Sequence, residues 1–273
     1  MEAMTKVEFD RFRKLIYERL GIALSDQKVS MLQSRLGKLA RKKGMAGYGE
    51  LYDYFDIHYS SEADSELEDA ITTNVTSFFR ESQQWIYLRE HLRELEYRKG
   101  ERRLRIWSAA CSSGEEPYSI AIFLREHLPD FFSWDIKILA TDISDEVLKK
   151  AMGGVYSERD MEGVPQGIVR RHFTAEKAGG DRRYRIDPLL RGMILFRKFN
   201  LVYGDYGIFS NPMDLIFCRN VMIYFDKPTQ IRIDTQLAGQ LHPGGLLLIG
   251  HSEAIPPGVG DLKLVRSSIY MKQ

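Results

Sequence analysis

Two adjacent glutamates stand in the stretch AACSSGEEPYSIAIFL, residues 109–124, between a strand-like apolar run and a run with helical spacing. Nucleotide-binding enzymes place a glycine-rich turn here, because bare backbone N–H groups must approach a pyrophosphate closely. In this turn Gly114 is followed by Glu115 and Glu116, which would repel a phosphate. The turn therefore predicts a ligand with a neutral or cationic group at this point. The alternative is that both acids only complement the helix dipole.

Asp142 ends the second strand-like run, WDIKILATD. A carboxylate at that position can accept hydrogen bonds from both ribose hydroxyls of a nucleoside. The alternative is a cap for the following helix, although Ser144 already suits that role. S-adenosylmethionine carries a ribose for Asp142 and an ammonium group for a glutamate. The two loops together therefore predict S-adenosylmethionine as the cofactor.

The carboxylate of S-adenosylmethionine would need a cation. Arg80 and Arg219 are candidates, because arginine binds carboxylates through two parallel hydrogen bonds. A single arginine in a sequence is more often a solvated or structural charge. The spacing alone leaves the choice between them open.

A parallel sheet is needed to bring these residues to one edge. From about residue 100 strand-like and helical runs alternate, which is typical of a parallel sheet covered by helices on both faces. Its apolar runs, KILA, DLIF and LLLIG, suit buried parallel strands. Residues 156–200 interrupt this alternation and predict a small antiparallel β subdomain around the turn AGGD.

The first 85 residues predict a separate helical domain, followed by an α/β domain over 86–273. Gly21 is a C-terminal stop for the first helix, and TTNVTSFFRE, residues 72–81, reads as part of a last helix. The apolar face of the first helix is assigned to Val7, Phe9, Phe12, Leu15, Ile16 and Leu20.

Composition excludes several classes of protein. The 273 residues carry a formal net charge of +1, so no global field steers the chain to nucleic acid or membrane. The two cysteines lie far apart, with no spacing that suggests a disulfide framework or a zinc site. No apolar run approaches the ~18 residues of a membrane span. We expect a soluble, cytoplasmic, monomeric protein without a metal.

Several long stretches together resemble the chemotaxis receptor methyltransferase family, CheR, over about residues 7–270. They are TTNVTSFFRE (72–81), WSAACSSGEEPYSIAI (107–122), ATDIS (140–144), FCRNVMIYFDKPTQ (217–230) and GGLLLIGHSE (244–253). The resemblance implies a helical domain, a Rossmann-like methyltransferase domain and a β insertion. It also implies transfer of a methyl group from S-adenosylmethionine to glutamate side chains of chemoreceptor helices.

The cofactor site that the resemblance implies begins in the segment between the domains. Asn74, Thr76 and Arg80 belong to it, with Arg80 at the methionyl carboxylate. Glu116 is expected at the methionyl amino group and Asp142 at the ribose.

The rest of the implied site comes from later loops. Asn200 and Leu201 flank the adenine and ribose, and Arg219, Asn220 and Tyr224 close the site near the transferable methyl group.

The implied reaction does not require a general base. A glutamate side chain has a pKa near ~4.3, so the nucleophile is already ionised at neutral pH. Arg80, Arg219 or Tyr224 could orient the substrate carboxylate, and Arg80 and Tyr224 are the catalytic candidates. Tyr224 could instead only shape the pocket. His251 is the weaker candidate, because the reaction asks for no base.

A basic segment, residues 28–43, contains no acid and is a candidate docking surface. A solvated helix face is the alternative, and the aromatic interleaving of a nucleic-acid surface is absent. The resemblance favours docking, because receptor methylation helices are acidic. The candidate docking residues are Arg35, Lys38, Arg41, Lys42 and Lys43.

The resemblance adds a second contact, because in some members the β insertion binds a peptide at the receptor's C-terminus. Arg182, Arg183 and Arg185 near the Gly-Gly turn could bind a peptide carboxylate, or an edge strand could pair with the peptide. Some members lack this tether, and the sequence leaves the question open.

Other functions remain as alternatives. A dehydrogenase would need the missing glycine loop. A nucleic-acid methyltransferase should show aromatic stacking residues and a basic channel. A non-catalytic module that senses S-adenosylmethionine or its demethylated product would share the cofactor residues.

Overall fold

The computed structural model describes residues 2–58, 60–98, 102–178, 180–209 and 211–273, and its first part is a helical domain. Phe9, Phe12, Leu36 and Phe55 are fully buried in the core of this domain. Val7 is 65% exposed, so its assignment to the apolar face is wrong. At 3.6 residues per turn it lies about 200° from Phe9. The helices are α1 Lys6–Leu20, α2 Val29–Lys42, α3 Tyr48–Ile57 and α4 Ser61–Ile71.

Local signals set both ends of α1. Thr5 and Glu8 form a reciprocal capping box at its start. Gly21 follows its last residue with a φ of 74°, a left-handed conformation that glycine adopts without a steric penalty. The predicted stop at Gly21 is confirmed.

The helix prediction for residues 72–81 is wrong, because α4 ends at Ile71 and the segment beyond it is not helical. Arg35 on α2 donates hydrogen bonds to the carbonyl oxygens of Ile71 and Thr72 and to Oγ1 of Thr73. These bonds satisfy carbonyl groups that a continuing helix would have used. A contact from another helix therefore ends α4.

The two hydrophobic cores meet earlier in the chain than the predicted boundary at residue 85. Ile71 belongs to the core of the helical domain, whereas Phe78 and Trp85 are buried in the core of the sheet. Residues 72–77 therefore join the two cores.

The second part of the chain is built on a 7-stranded sheet with the order β6-β2-β1-β7-β8-β10-β9. β6, β2, β1, β7 and β8 are parallel, as predicted, and β9 and β10 add an antiparallel edge that the sequence analysis did not predict. The strand order reverses between β1 and β7, where ligands bind in open sheets. The strands are β1 Arg103–Ala109, β2 Asp135–Asp142, β3 Val155–Ser157, β4 Phe173–Ala178, β5 Asp181–Ile186, β6 Ile194–Lys198, β7 Met213–Cys218, β8 Leu241–Ile249, β9 Leu262–Arg266 and β10 Ile269–Lys272.

Buried side chains cover both faces of the sheet. None of the helices within the described ranges is long and apolar enough to cross a bilayer. The helices of this part are α5 Ser82–Arg98, α6 Glu115–His127, α7 Asp145–Gly153, α8 Gln166–His172, α9 Pro188–Gly192 and α10 Lys227–Gly239.

The antiparallel subdomain is a 3-stranded sheet, β3-β5-β4. It ends at Ile186, earlier than the expected limit at residue 200, because β6 pairs with β2 in the large sheet. Alternating apolar residues in β6 suggested a half-exposed antiparallel strand. Its edge position in the large sheet gives the same alternation.

Candidate active site

A cavity of about 550 Å³, here called the strand-end cavity, opens at the carboxyl ends of β1 and β7. The helical domain forms its other side through Ile22, Leu24 and Met31. Its volume lies in the range of roughly 300–1,000 Å³ that is usual for small-molecule sites. The residues of the predicted cofactor site all line it: Asn74, Thr76, Arg80, Glu116, Asp142, Asn200, Leu201, Arg219, Asn220 and Tyr224.

The loop after β1 has an unusual backbone path. Ala110, Ser112 and Gly114 all have positive φ, at 73°, 49° and 96°. A Cβ on Gly114 would lie 2.9 Å from both Cβ of Ala151 and the hydroxyl of Tyr156, so only glycine fits without displacement. The loop thus turns tightly into α6 without forming a phosphate cradle.

The two glutamates at the start of α6 occupy different environments. Glu116 lines the strand-end cavity, accepting hydrogen bonds from Oγ of Ser108 at 2.6 Å and from Nε of Arg219 at 2.7 Å. Glu115 is not part of the cavity lining and accepts from Oγ of Ser113 at 2.7 Å. Burial raises the pKa of Glu115. Only Glu116 is therefore placed to meet a ligand.

Asp142 is buried at the end of β2 and lines the strand-end cavity. Its carboxylate accepts hydrogen bonds from the backbone N–H of Ser112 at 2.8 Å and of Ser144 at 3.1 Å. Burial raises the pKa of Asp142, against the effect of these N–H groups. The cap of α7 is Ser144, whose Oγ accepts from the N–H of Val147, so Asp142 is not needed as the cap.

The two arginines differ in what they already bind. Arg219 is buried, and besides Glu116 it donates from Nη1 to the carbonyl of Arg80 at 2.7 Å and to Oε1 of Gln84 at 3.1 Å. Arg80 donates from Nη1 to the carbonyl of Val75 at 3.2 Å. Within the described ranges no carboxylate forms an ion pair with Arg80. Arg80 is thus the guanidinium available for a ligand carboxylate, and Arg219 positions Glu116.

Two asparagines are set by local hydrogen bonds. Oδ1 of Asn200 accepts from the N–H groups of Val202 and Tyr203, which leaves its Nδ2 as a donor. The carbonyl of Asn74 accepts from Oγ of Ser112 at 3.2 Å. This last bond ties the segment between the domains to the loop after β1.

Glu253, which follows β8, holds the loop after β7. One of its carboxylate oxygens accepts from the N–H groups of Gly250 at 2.6 Å and Asn220 at 3.0 Å, and the other accepts from Met222 at 2.8 Å. Asn220 has a φ of 58°, which the loop needs in order to turn here. Glu253 is absent from the predicted site, although its position just after a buried strand was an available signal.

Comparison with known proteins agrees with this geometry. Residues 74–271 match the SAM binding domain of CheR methyltransferases, and residues 7–72 match their all-alpha domain. The chain belongs to the CheR methyltransferase family.

Its relatives are similar over nearly the whole chain. A probable chemotaxis protein methyltransferase of Rhizobium etli is 40% identical over 257 residues, which cover 93% of this chain and 94% of that protein. A chemotaxis protein methyltransferase of Borreliella burgdorferi is 37% identical over 274 residues, which cover 98% and 95%. The Pseudomonas aeruginosa chemotaxis protein methyltransferase 2 is 39% identical over 266 residues, which cover 97% and 93%.

The predicted family is confirmed, and the chain is an S-adenosylmethionine-dependent methyltransferase. The strand-end cavity of this CheR chain fits that cofactor chemically. It offers two buried carboxylates, Glu116 and Asp142, for an ammonium group and a ribose, and the guanidinium of Arg80 for a carboxylate. Within the described ranges no three acidic, His or Cys side chains are grouped to hold a metal ion.

The predicted docking cations of this CheR chain do not all face solvent. Lys38, Arg41 and Lys42 are exposed on α2, and we call them the α2 cations. Arg35 caps α4 through its bonds to backbone carbonyls, and Lys43 forms an ion pair with Glu66 at 2.8 Å. Partners distant in sequence already hold the side chains of Arg35 and Lys43, so the part of the docking prediction that concerns solvent-facing cations rests on the α2 cations.

The arginines of the small sheet divide in the same way. Arg182 and Arg183 are exposed near the turn. Arg185 forms two hydrogen bonds with the carboxylate of Glu176, at 2.6 and 3.0 Å, so it is not free to bind a peptide.

Proposed function

We propose that this CheR methyltransferase transfers the methyl group of S-adenosylmethionine to glutamate side chains on the helical cytoplasmic domain of chemoreceptors. The products are glutamate methyl esters and S-adenosylhomocysteine. The observation that carries the proposal is that one cavity, closed by the helical domain, brings together every predicted cofactor residue in a chain related to chemotaxis protein methyltransferases. Both walls of the cavity come from one chain, so we propose a monomeric enzyme. We propose that it is cytoplasmic because its proposed substrate is the cytoplasmic domain of the receptors.

The charged side chains of the strand-end cavity are proposed to bind different parts of the cofactor. Asp142 accepts from the ribose hydroxyls, Glu116 from the methionyl ammonium, and Arg80 donates to the methionyl carboxylate. Asn74 and Thr76 line the cavity wall beside Arg80. These contacts orient the cofactor, and positioning supplies much of the rate in an in-line displacement.

Asn200 and Leu201 line the cavity on the side of β6, where we place the adenine. Leu201 is buried and offers an apolar surface to a ring, and Asn200 offers its Nδ2 donor. An apolar contact with one polar group is the usual arrangement around a bound base.

The bound cofactor supplies a methyl group already activated by its sulfonium charge. A substrate glutamate is ionised at neutral pH, so no residue of the chain must remove a proton. Tyr224 and Asn220 lie on the loop that Glu253 holds, and they shape the opening through which the substrate carboxylate enters. Tyr224 and Arg80 are proposed to orient that carboxylate.

Substrate docking is assigned to the α2 cations. They lie toward the C-terminal end of α2, roughly 10–16 Å along the helix from Met31, which lines the strand-end cavity. Acidic receptor helices would be attracted to this face, and such steering is strongest at low ionic strength. A second contact is proposed at the small sheet, where Arg182 and Arg183 are exposed at the turn beside the edge strand β4.

The decisive experiment incubates the chain with radiolabelled S-adenosylmethionine and membranes bearing chemoreceptors. The expected result is label on the receptors that is released by mild base, as for methyl esters. Normal cofactor binding by calorimetry without transfer would instead indicate a sensing module, and label on RNA would indicate a nucleic-acid enzyme. Receptors that lack their C-terminal peptide test the second contact, and we expect them to be methylated more slowly. An enzyme variant with both Arg182→Glu and Arg183→Glu should show the same loss of methylation rate on the intact receptor.

A further inference from the structure

A second cavity of about 320 Å³, here called the α10 cavity, lies between α10 and the segment after β8. The proposed methyl transfer uses none of its charged side chains directly. Its lining combines an apolar wall with charged groups, chiefly Met222, Ile249, Ile255, Lys227, Asp234 and Glu253.

Asp234 is the anomalous residue of this cavity. Asp234 is only 2% exposed, and no described residue donates a hydrogen bond to its Oδ1. Glu253 differs, because three backbone N–H groups satisfy its carboxylate. Buried carboxylates without partners are rare because desolvation is not compensated. Asp234 therefore lines the α10 cavity with an unmet requirement for a hydrogen-bond donor.

Burial and a neighbouring carboxylate disfavour the ionised form of Asp234, which a cation beside it would favour. Burial and then the carboxylate of Glu253 raise the pKa of Asp234 to about 7, whereas Lys227 acts in the opposite direction. Lys227 itself is exposed, and its Nζ donates to Oε1 of Gln230 at 3.0 Å. None of the ion pairs among the described residues includes Asp234.

We propose that the α10 cavity binds a small organic cation, with an ammonium group paired to Asp234 and an alkyl chain against Met222 and Ile249. A metal ion fits less well, since the described residues provide no group of three acidic, His or Cys side chains to hold one. The apolar wall favours a ligand with a hydrocarbon part. The ammonium could belong to a free alkylamine or to a lysine side chain of a peptide. The inference is independent of the methyltransferase reaction, because its readout is binding.

Thermal denaturation of the whole chain tests the proposal with n-butylammonium chloride and with Nα-acetyl-lysine amide as probes. Sodium chloride at equal ionic strength is the reference. A ligand at about 100 times its Kd stabilises the folded state by about 2.7 kcal/mol, which shifts the Tm by several degrees. We expect such a shift with at least one probe. The stronger probe tells whether the natural source is a free amine or a peptide.

Asp234→Asn is the test variant, and Asp261→Asn is the matched control, since Asp261 is an exposed acid outside the cavity lining. The shift should disappear in the first variant and persist in the second. Equal shifts in both variants, or no shift beyond that of sodium chloride, would overturn the proposal. If Asp234→Asn lowers the Tm in the absence of any probe, the carboxylate of Asp234 is paired with Lys227 and not with a ligand. That outcome also overturns the proposal.

Discussion

Arg219 donates from Nε to Oε2 of Glu116 at 2.7 Å, and both side chains are buried beside the strand-end cavity. Glu81 lies 3.6 Å from the same guanidinium. An arginine from the loop after β7 thus orients an acid in the first turn of α6, across the point where the strand order reverses. A ligand ammonium at Glu116 would meet a carboxylate that is already fixed in position.

Glu116→Gln is expected to reduce affinity for S-adenosylhomocysteine by at least tenfold, as measured by calorimetry. The change removes the charge that the ligand ammonium needs and leaves Arg219 with Glu81 as its remaining acid, so the Tm should also fall. Hydrogen bonds to charged groups contribute about 1.5–3 kcal/mol, which corresponds to roughly 10- to 150-fold in affinity. Glu115→Gln is the matched control and should bind normally; equal losses would contradict the separation of the two acids.

Asp142→Asn distinguishes ribose binding from a structural role. The amide keeps one acceptor oxygen but loses the charge, so affinity for S-adenosylhomocysteine should fall at least tenfold by calorimetry. Ser144→Ala removes the cap of α7 and should cost about 1 kcal/mol of unfolding free energy with a much smaller effect on binding. The assignment fails if the Ser144 variant loses as much affinity as the Asp142 variant.

Lys42→Glu should lower kcat/KM for receptor methylation at least threefold while leaving affinity for S-adenosylhomocysteine unchanged. The defect should shrink as salt is raised, because exposed charges are screened over about 10 Å at 0.1 M salt. Lys14→Glu, on the exposed face of α1, makes the same charge change away from the α2 cations. An equal loss in the two variants would point to net charge rather than to docking on α2.

Much of the sheet and part of the site could be predicted because their signals are local. The run ending at Asp142 is apolar and strand-like, and its polar end marks the edge where ligands bind. Arg35 and Lys43 show the limit of such patterns. Both look like exposed cations at helical spacing, yet the carbonyl of Ile71 and the carboxylate of Glu66 hold them.

The same limit explains the segment after Ile71. Its own sequence is compatible with a helix, and the contact at the end of α4 comes from Arg35, which lies 36 residues before Ile71. Glu253 was missed for a related reason. Its partners are backbone N–H groups of Asn220 and Met222, and no side-chain pattern in the sequence marks them.

Glu253→Gln should weaken cofactor binding, although Glu253 is not proposed to contact the cofactor. An amide has one acceptor oxygen, so it cannot satisfy the N–H groups of Gly250, Asn220 and Met222 together, and its NH₂ group faces one of them. We expect a lower Tm, together with weaker binding of S-adenosylhomocysteine. Gln230→Ala is the comparison, because Gln230 on α10 donates from Nε2 to the carbonyls of Met222 and Phe225 in the same loop. Normal cofactor affinity in the Glu253 variant would show that the loop does not depend on this carboxylate.

The titration of Asp234 should make the stability of the folded chain depend on pH. Its pKa is raised to about 7 by burial and by Glu253, from an ordinary value of 3.8. A raised pKa in the folded state means that stability is fully present below pH 3.8 and is lost as pH rises toward and through 7. Asp234→Asn removes this loss, so its free energy of unfolding relative to that of the natural chain should increase between about pH 4 and 7 and level off above pH 7. Urea denaturation across that range measures the difference; a constant difference at every pH would mean that Asp234 titrates normally.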